Sequence, residues 1–281
     1  MSKVKIGIIG GSGVYKMEGI KVLKEHRVTT PFGAPSSEII EAEIGNTACF
    51  FLPRHGKGHT LTPSEVNYRA NIFALKELGV EYLISVTAVG SLKEEYPPTT
   101  FVMVDQYIDW TKGGRERTYF NNGFVGHVSV ANPVEKELQQ MLVAACKEVG
   151  VKTGDGGSYI CIEGPQFSTK AESNIYRSFG ASVIGMTNVP EAYLAKEAGM
   201  AYAAIAMVTD YDCWKEEHCT LDAIMAVMKT NNANAHKVLH LVIPRLAQNL
   251  FPFKKENTFA VLTKPEKMSQ EQAYVLEVLM R

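Results

Sequence analysis

The sequence predicts a single α/β domain over residues 1–281, built as a central mixed β-sheet flanked by helices, and three observations carry that expectation. Short β-branched or aliphatic runs recur along the chain. Segments with apolar residues three and four apart stand between many of them. A chain of 281 residues with 46% hydrophobic and 21% charged side chains has the apolar surface for one large core. Strands alternating with helices are what a sheet covered on both flanks requires.

The strand runs are VKIGIIG (4–10), EIIEAEIG and TACFFLP on either side of Gly45-Asn46, EYLISVTAVG (81–90), TFVMVDQYI (100–108), SYICIEG (158–164), ASVIGM (181–186) and MAYAAIAMVTD (200–210). Gly-Asn favours a tight antiparallel hairpin, because both residue types reach positive φ at little steric cost. Strands separated by helical patterns favour parallel pairing, so the sheet should be mixed. Helix signals fill the gaps. In TPSEVNYRANIFALKELG, Thr62-Pro63 supplies a start and Gly79 a stop; Asn132-Pro133 and Gly150 bracket another helix in the same way. PEAYLAKEAG (190–199) is a third, and TLDAIMAVMK (220–229) begins a fourth whose continuation Pro244 should end or kink. SQEQAYVLEVLMR reads as a last helix, and no internal repeat or linker interrupts the pattern.

Charge and cysteine usage exclude several classes of function. Lys plus Arg number 29 against 30 Asp plus Glu with no block of one sign, so there is no basic footprint for nucleic acid. No stretch approaches the roughly 18 uninterrupted apolar residues of a membrane span. Cys49, Cys146, Cys161, Cys213 and Cys219 are odd in number and lack a C-x-x-C pair, which argues against a disulfide framework or a thiolate zinc site and fits a reducing cytoplasm. MSKVKIGIIGG is too short in its apolar part for a signal sequence and reads as a first strand.

The chemistry collects where strands end: GGSG after the first, PRHGKGH after the third, then TAVGS, EGPQFS, MTNVPE and TDYDCW. Ligands of open α/β sheets bind along such edges, so these segments are expected to form one composite pocket. GGSG offers backbone N–H groups and the Ser12 hydroxyl to an oxyanion, or is a plain tight turn; it matches neither the dinucleotide fingerprint nor the P-loop. PRHG places Arg54 and His55 where a strand meets solvent, either as an ordinary surface pair or, with the hydroxyls of Thr87 and Thr187, as a phosphate site. His55 and His59 are four apart, but Gly56 and Gly58 disfavour a helix and no Glu stands between them, so no metal is expected.

The apolar run ending in Asp210 and Asp212 poses the sharpest question, because an ionised carboxylate at a buried edge is costly unless something binds it. In an extended segment the two would project to one side and grip a purine edge, one accepting from N6 and the other, protonated, donating to N7. Crowding two carboxylates raises the pKa of one of them. The bland alternative is a loop of solvated aspartates. Cys213 has no partner base in the sequence and reads as a packed thiol, and Ser168 in GPQFS has no evident triad.

IGIIGGSGVY, PRHGKGHTLTPSEVNYRANIFALKELGV, TAVGSLKEE, IEGPQFSTKAES, MTNVPEAYLAKEAG and MVTDYDCWKEEH, in this order, resemble the 5′-methylthioadenosine phosphorylases, a branch of the trimeric purine nucleoside phosphorylases. The resemblance is strongest through about residue 218, weaker over 111–124 and poor after about 250. It implies phosphorolysis of S-methyl-5′-thioadenosine to adenine and 5-methylthio-D-ribose 1-phosphate, with inorganic phosphate as co-substrate and no metal or organic cofactor. By the same likeness Ser12, Arg54, His55, Thr87, Ala88 and Thr187 would surround phosphate, Met186 would meet the ribose hydroxyls, and Phe167 and Ser168 would lie beside the base. Asp210 and Asp212 would hold N7 and N6, His127 would come from a neighbouring subunit of a homotrimer, and Leu221, Ile224 and Met225 would line the methylthio pocket. Gln166 replaces a frequent Arg, Val89 a Cys or other small residue and Ser12 a frequent Thr; no role is assigned to Gln166. The rivals are a phosphorylase of 6-oxopurine nucleosides, which the Asp pair opposes because a 6-oxo group has no proton to donate, a phosphate-independent nucleosidase, and a non-catalytic nucleoside-binding protein.

Overall fold

Residues 5–11, 20–215 and 221–281, with Leu221 as backbone only, are described by a computed structural model. Its organising element is a long strand that pairs on both sides. In chain order the strands are β1 (Ile6–Gly10), β2 (Lys21–His26), β3 (Ile39–Ile44), β4 (Thr47–Pro53), β5 (Tyr82–Ser91), β6 (Phe101–Met103), β7 (Gln106–Trp110), β8 (Thr153–Asp155), β9 (Ser158–Ile162), β10 (Val183–Gly185) and β11 (Ala201–Asp210). All belong to one mixed sheet. The helices are α1 (Tyr68–Glu77), α2 (Lys136–Val149), α3 (Lys170–Ser178), α4 (Asn188–Glu197), α5 (Leu221–Gln248) and α6 (Gln270–Met280).

β5 is parallel to β1 on one side and to β11 on the other, and β1 is parallel to β4, so these four strands end at the same edge. Beyond the end of β1, Gly90 and Ser91 continue into an antiparallel pairing with β10, which draws β9 and β7 into the same sheet. Side chains alternate between two cores, as period-two strands must. Ile9 and Leu83 face α1, α4 and α6, whereas Ile8 and Ile84 face α2 and α5. A smaller cluster around Ile160, Tyr176 and Ile184 seats α3.

The hairpin expected at Gly45-Asn46 joins β3 to β4, with φ of 53° and 62° at the two turn residues. Other expectations are corrected. α1 begins at Tyr68, not at Thr62-Pro63: the Asn67 side chain accepts the Ala70 N–H as the cap, while Thr62 donates its N–H and hydroxyl to Glu65 in a separate turn. α2 begins at Lys136 after Glu135, three residues beyond Pro133. TFVMVDQYI is two strands, because β6 pairs with β11 and β8 whereas β7 leaves to pair with β9. Of the two outcomes expected at Pro244, an end or a kink, the first does not occur, since α5 runs on to Gln248. An internal proline costs about 3 kcal/mol, but Val238, Leu239, Val242, Ile243 and Leu246 on that helix are all buried, each contributing about 1.5–3 kcal/mol, so burial outweighs it. β2, β8 and α3 were not expected.

Candidate active site

Arg54 is not at a solvent boundary. It is 1% exposed, with its backbone N–H on the Gly10 carbonyl at 2.8 Å, so the ends of β1 and β4 stay laced beyond their last pair. Its guanidinium donates to Glu191 from Nε (2.6 Å) and Nη2 (3.0 Å), to Ser85 Oγ (2.7 Å), and to the carbonyls of Val86 (3.2 Å) and Ile9 (3.3 Å). Burial opposes the charge on Arg54, and the Glu191 carboxylate more than restores it, holding the guanidinium above its ordinary pKa. Of the five N–H bonds of the fork, one on Nη1 has no acceptor among the described residues.

His55 follows, its Nδ1 2.9 Å from the Leu61 carbonyl and its ring stacked on His59 at 4.4 Å. A carbonyl only accepts, so Nδ1 carries the proton and Nε2 is left for the pocket. Burial, then the Arg54 charge, pull the imidazole down to about 4. It is neutral at physiological pH. The Thr87 and Thr187 hydroxyls lie 3.3 Å apart, both side chains nearly buried, and the Thr187 N–H points to Tyr159 Oη at 3.4 Å. Ala88 is exposed beside Thr87. Ser12 lies outside the described residues.

At the other end of the same edge, Asp210 and Asp212 do come together, but not through an extended segment. Asp212 has φ 51°, and its N–H donates to Asp210 Oδ1 at 2.7 Å, so a turn rather than a strand brings the two carboxyls together. Asp210 Oδ2 is 2.6 Å from Thr209 Oγ1. Burial, with a smaller contribution from the Asp210 charge, raises the Asp212 carboxyl above the ordinary carboxylate range. Burial and the neighbouring carboxyl thus both oppose the charge on Asp212. Gly90 on β5 permits the approach: a Cβ there would stand 3.2 Å from Asp210 Oδ1 and 3.3 Å from Asp212 Cβ.

The turn is held from outside. The half-buried Cys213 thiol donates to the Ser168 carbonyl at 3.1 Å, and Trp214 Nε1 donates to the Ser91 carbonyl at 2.7 Å beneath the Arg177 guanidinium. The DYD segment is no solvated loop. Ser168 Oγ is buried next to this turn with no partner among the described residues, and Phe167 is 73% exposed. Met186 is half-buried, and its carbonyl accepts from Arg115 Nη1 at 2.6 Å.

Two groups that organise the site escaped the sequence. Glu191, wholly buried, also accepts from Ser85 Oγ (2.7 Å) and Tyr202 Oη (2.9 Å). A buried Arg demands such a carboxylate, but nothing local marks a partner 137 residues away. Arg115, in the weakly matching loop, donates to the carbonyls of Met186, Val189 (2.8 Å) and Glu163 (2.8 Å) and so fastens the 186–189 segment that carries Thr187. His127 is exposed, its N–H on the Ala260 carbonyl (2.9 Å); Ile224 is half-buried, Met225 is 62% exposed, and the Leu221 side chain is outside the described residues. Among the described residues no group of three or more His, Cys, Asp or Glu is placed to hold a metal ion, and no helix is long and apolar enough to cross a membrane.

Comparison with known proteins bears on the same edge. The family pattern of the phosphorylase superfamily matches residues 5–244. The chain is 53% identical over 243 residues to the S-methyl-5′-thioadenosine phosphorylase of Geobacter sulfurreducens, covering 86% of this chain and 85% of that one. It is 50% identical over 248 residues to the enzyme of that name from Thermofilum pendens, covering 88% and 94%. Among solved structures, a methylthioadenosine phosphorylase sourced from an antarctic soil metagenomic library superposes with a TM-score of 0.93 at 44% identity over 99% of both chains. The methylthioadenosine phosphorylase of Schistosoma mansoni in complex with adenine gives 0.84 at 36% identity over 99% and 98%.

Proposed function

This chain belongs to the phosphorylase superfamily, within it to the S-methyl-5′-thioadenosine phosphorylases, and from that premise we propose that it cleaves S-methyl-5′-thioadenosine with inorganic phosphate to adenine and 5-methylthio-D-ribose 1-phosphate. One observation carries the reading: a cation, an imidazole and two hydroxyls stand at one end of the β5 edge, and a pair of carboxyls at the other. Thr87 and Gly90 are three residues apart on β5, about 10 Å along a strand. That separation suits a phosphate and a purine on opposite sides of one ribose.

Phosphate accepts from the Thr87 and Thr187 hydroxyls and from the remaining Nη1 proton of Arg54 and donates its own O–H to the unprotonated Nε2 of His55, with Ser12 and Ala88 completing the cradle. Met186 supports the ribose, and Phe167 and Ser168 flank the base. Asp212 takes the N6 amino group and Asp210 supplies a hydrogen bond or proton at N7, where charge develops only as the glycosidic bond breaks. Tight placement of phosphate beneath C1′ replaces a bimolecular encounter. No metal or organic cofactor takes part. The exposed His127 and Met225 become part of a site in a homotrimer, His127 reaching the 5′ end of the substrate held by a neighbouring subunit beside Leu221, Ile224 and Met225. The single 1–281 domain works in the cytoplasm, in purine and methionine salvage.

The test is adenine release from S-methyl-5′-thioadenosine with and without phosphate. Strict dependence on phosphate is expected; release without it would make the protein a nucleosidase, and no release a binding module. Asp212→Asn should shift the ratio of kcat/KM from 6-amino toward 6-oxo nucleosides by 100-fold or more, on the order of the selectivity a mispaired polar group imposes. An unchanged ratio would remove Asp212 from base recognition.

A further inference from the structure

Thr209 is where β11 slips register on β5: Val208 lies opposite Val89 and Asp210 opposite Gly90, so Thr209 has no opposite number of its own. A bulge of this kind re-aims the next side chain, and here that side chain is Asp210. The Thr209 side chain is nearly buried, with Oγ1 3.2 Å from the Val89 carbonyl and 2.6 Å from Asp210 Oδ2. A hydroxyl has one proton to donate. Two acceptors compete for it, and a carboxylate outcompetes an amide carbonyl.

We propose that Thr209 is a positioning residue for the phosphorolysis, its single proton held toward Asp210 Oδ2, the nearer of its two acceptors, in a bond that strengthens as Asp210 turns into a carboxylate. The inference rests on the reading of Asp210 as the group that serves N7. In the step, a phosphate oxygen forms the bond to C1′ while the C1′–N9 pair of electrons passes to the purine. The proton on Asp210 goes to N7, neutralising the base and leaving the carboxylate. Thr209 O–H on Oδ2 and Asp212 N–H on Oδ1 then both face an ionised group, so each bond strengthens as the reaction proceeds rather than on binding. The sugar phosphate leaves as the monoanion and gives up its proton to water, and Asp210 regains one from water before the next turnover.

Thr209→Val keeps the β-branched shape and removes the hydroxyl; Thr209→Ser keeps the hydroxyl. With S-methyl-5′-thioadenosine and phosphate, Thr209→Val should lower kcat by about 10- to 100-fold, the range of a charge-assisted hydrogen bond, and move both KM values less than threefold. Thr209→Ser should stay within about threefold of the parent. With the 2-fluoroadenine analogue, whose electron-poor base leaves with less help at N7, the penalty of Thr209→Val should shrink. Equal turnover of Val variant and parent, a Ser variant as slow as the Val variant, or the same penalty on both bases would each overturn the role. Should Thr209→Val fail to fold, Thr209→Ala is read by the same three outcomes. A parent protein that releases no adenine with phosphate would instead sink the proposed function, so the two failures are distinct.

Discussion

Replacing Glu191 by Gln removes one charge from a pair that no solvent reaches. Both side chains are nearly inaccessible, 2% exposed for Arg54 and 0% for Glu191, so screening does not soften the loss. The Gln carbonyl retains one acceptor, but its amide turns N–H groups toward donors that now face a carboxylate, on Arg54, Ser85, Tyr202 and Asn188. Breaking a buried pair from one side costs about 3–5 kcal/mol. Unfolding entropy of about 2.1 cal/mol/K per residue over 281 residues amounts to about 0.6 kcal/mol/K. The melting temperature should therefore fall by about 5–8 °C, read by calorimetry or fluorescence. Since Arg54 is held by Glu191 against the proposed phosphate site, the phosphate KM should rise as well. The double variant Arg54→Met, Glu191→Leu separates the two effects: it removes both charges, but the Ser85, Tyr202 and Asn188 donors lose their carboxylate, so it should recover only part of the melting temperature and none of the phosphate-dependent turnover. A Glu191→Gln protein that melts within 2 °C of the parent and keeps its phosphate KM would refute the reasoning.

Two further perturbations address charge and pH. Asp210→Asn should lower kcat for S-methyl-5′-thioadenosine by at least about 100-fold while phosphate affinity changes little, because the lost interaction acts on developing charge; equal losses in kcat and phosphate binding, measured by steady-state kinetics and calorimetric titration, would count against that role. Glu197 is raised to about 7 by burial, against the opposing bonds from the Tyr119 N–H and the Thr118 hydroxyl. A folded-state pKa above the unfolded value of about 4.3 means that the native state binds more protons, so this group weakens the fold as pH rises from about 4.5 through about 7. His55, lowered to about 4, acts oppositely: its stabilisation is present above about 6.5 and is lost as pH falls toward 4. His55 is common to both proteins and cancels in their difference, so from pH 4.5 to 7 the melting temperature of Glu197→Gln should gain steadily on that of the parent, and a difference that does not change with pH would show that Glu197 is not the group responsible.

Features written in neighbouring residues were legible. The Gly45-Asn46 hairpin, the C-terminal capping box that opens α6 at Ser269 and the apolar runs of β5 and β11 all state their structure within a few positions. Even there, boundaries drifted where two local signals competed, as when Thr62 lost the helix start to Asn67. α3 opens on a capping box of Thr169 and Glu172, but only Ser173 and Tyr176 along it are buried, so little apolar periodicity marks it as a helix. β2 was missed for a physical reason: it is an exposed edge strand, KVLKEH, with little apolar alternation to betray it.

For the site, the polar residues after the parallel strands β1, β4, β5 and β11 already collected Arg54, His55, Thr87, Asp210 and Asp212 at one edge, since parallel strands must end together, whereas Thr187 comes back to Thr87 through the antiparallel register of β10 on β5. What each group can do there was decided in three dimensions. Arg54 became a buried half of an ion pair through a glutamate far along the chain, the two aspartates met through a left-handed turn and a bulge rather than by strand periodicity, and a single hydroxyl at Thr209 acquired two competing acceptors. Periodicity and turn chemistry are properties of adjacent backbone and can be read in a line. Charge state, tautomer and the direction of a shared proton depend on burial and on partners from other strands, and those exist only once the sheet has closed around them.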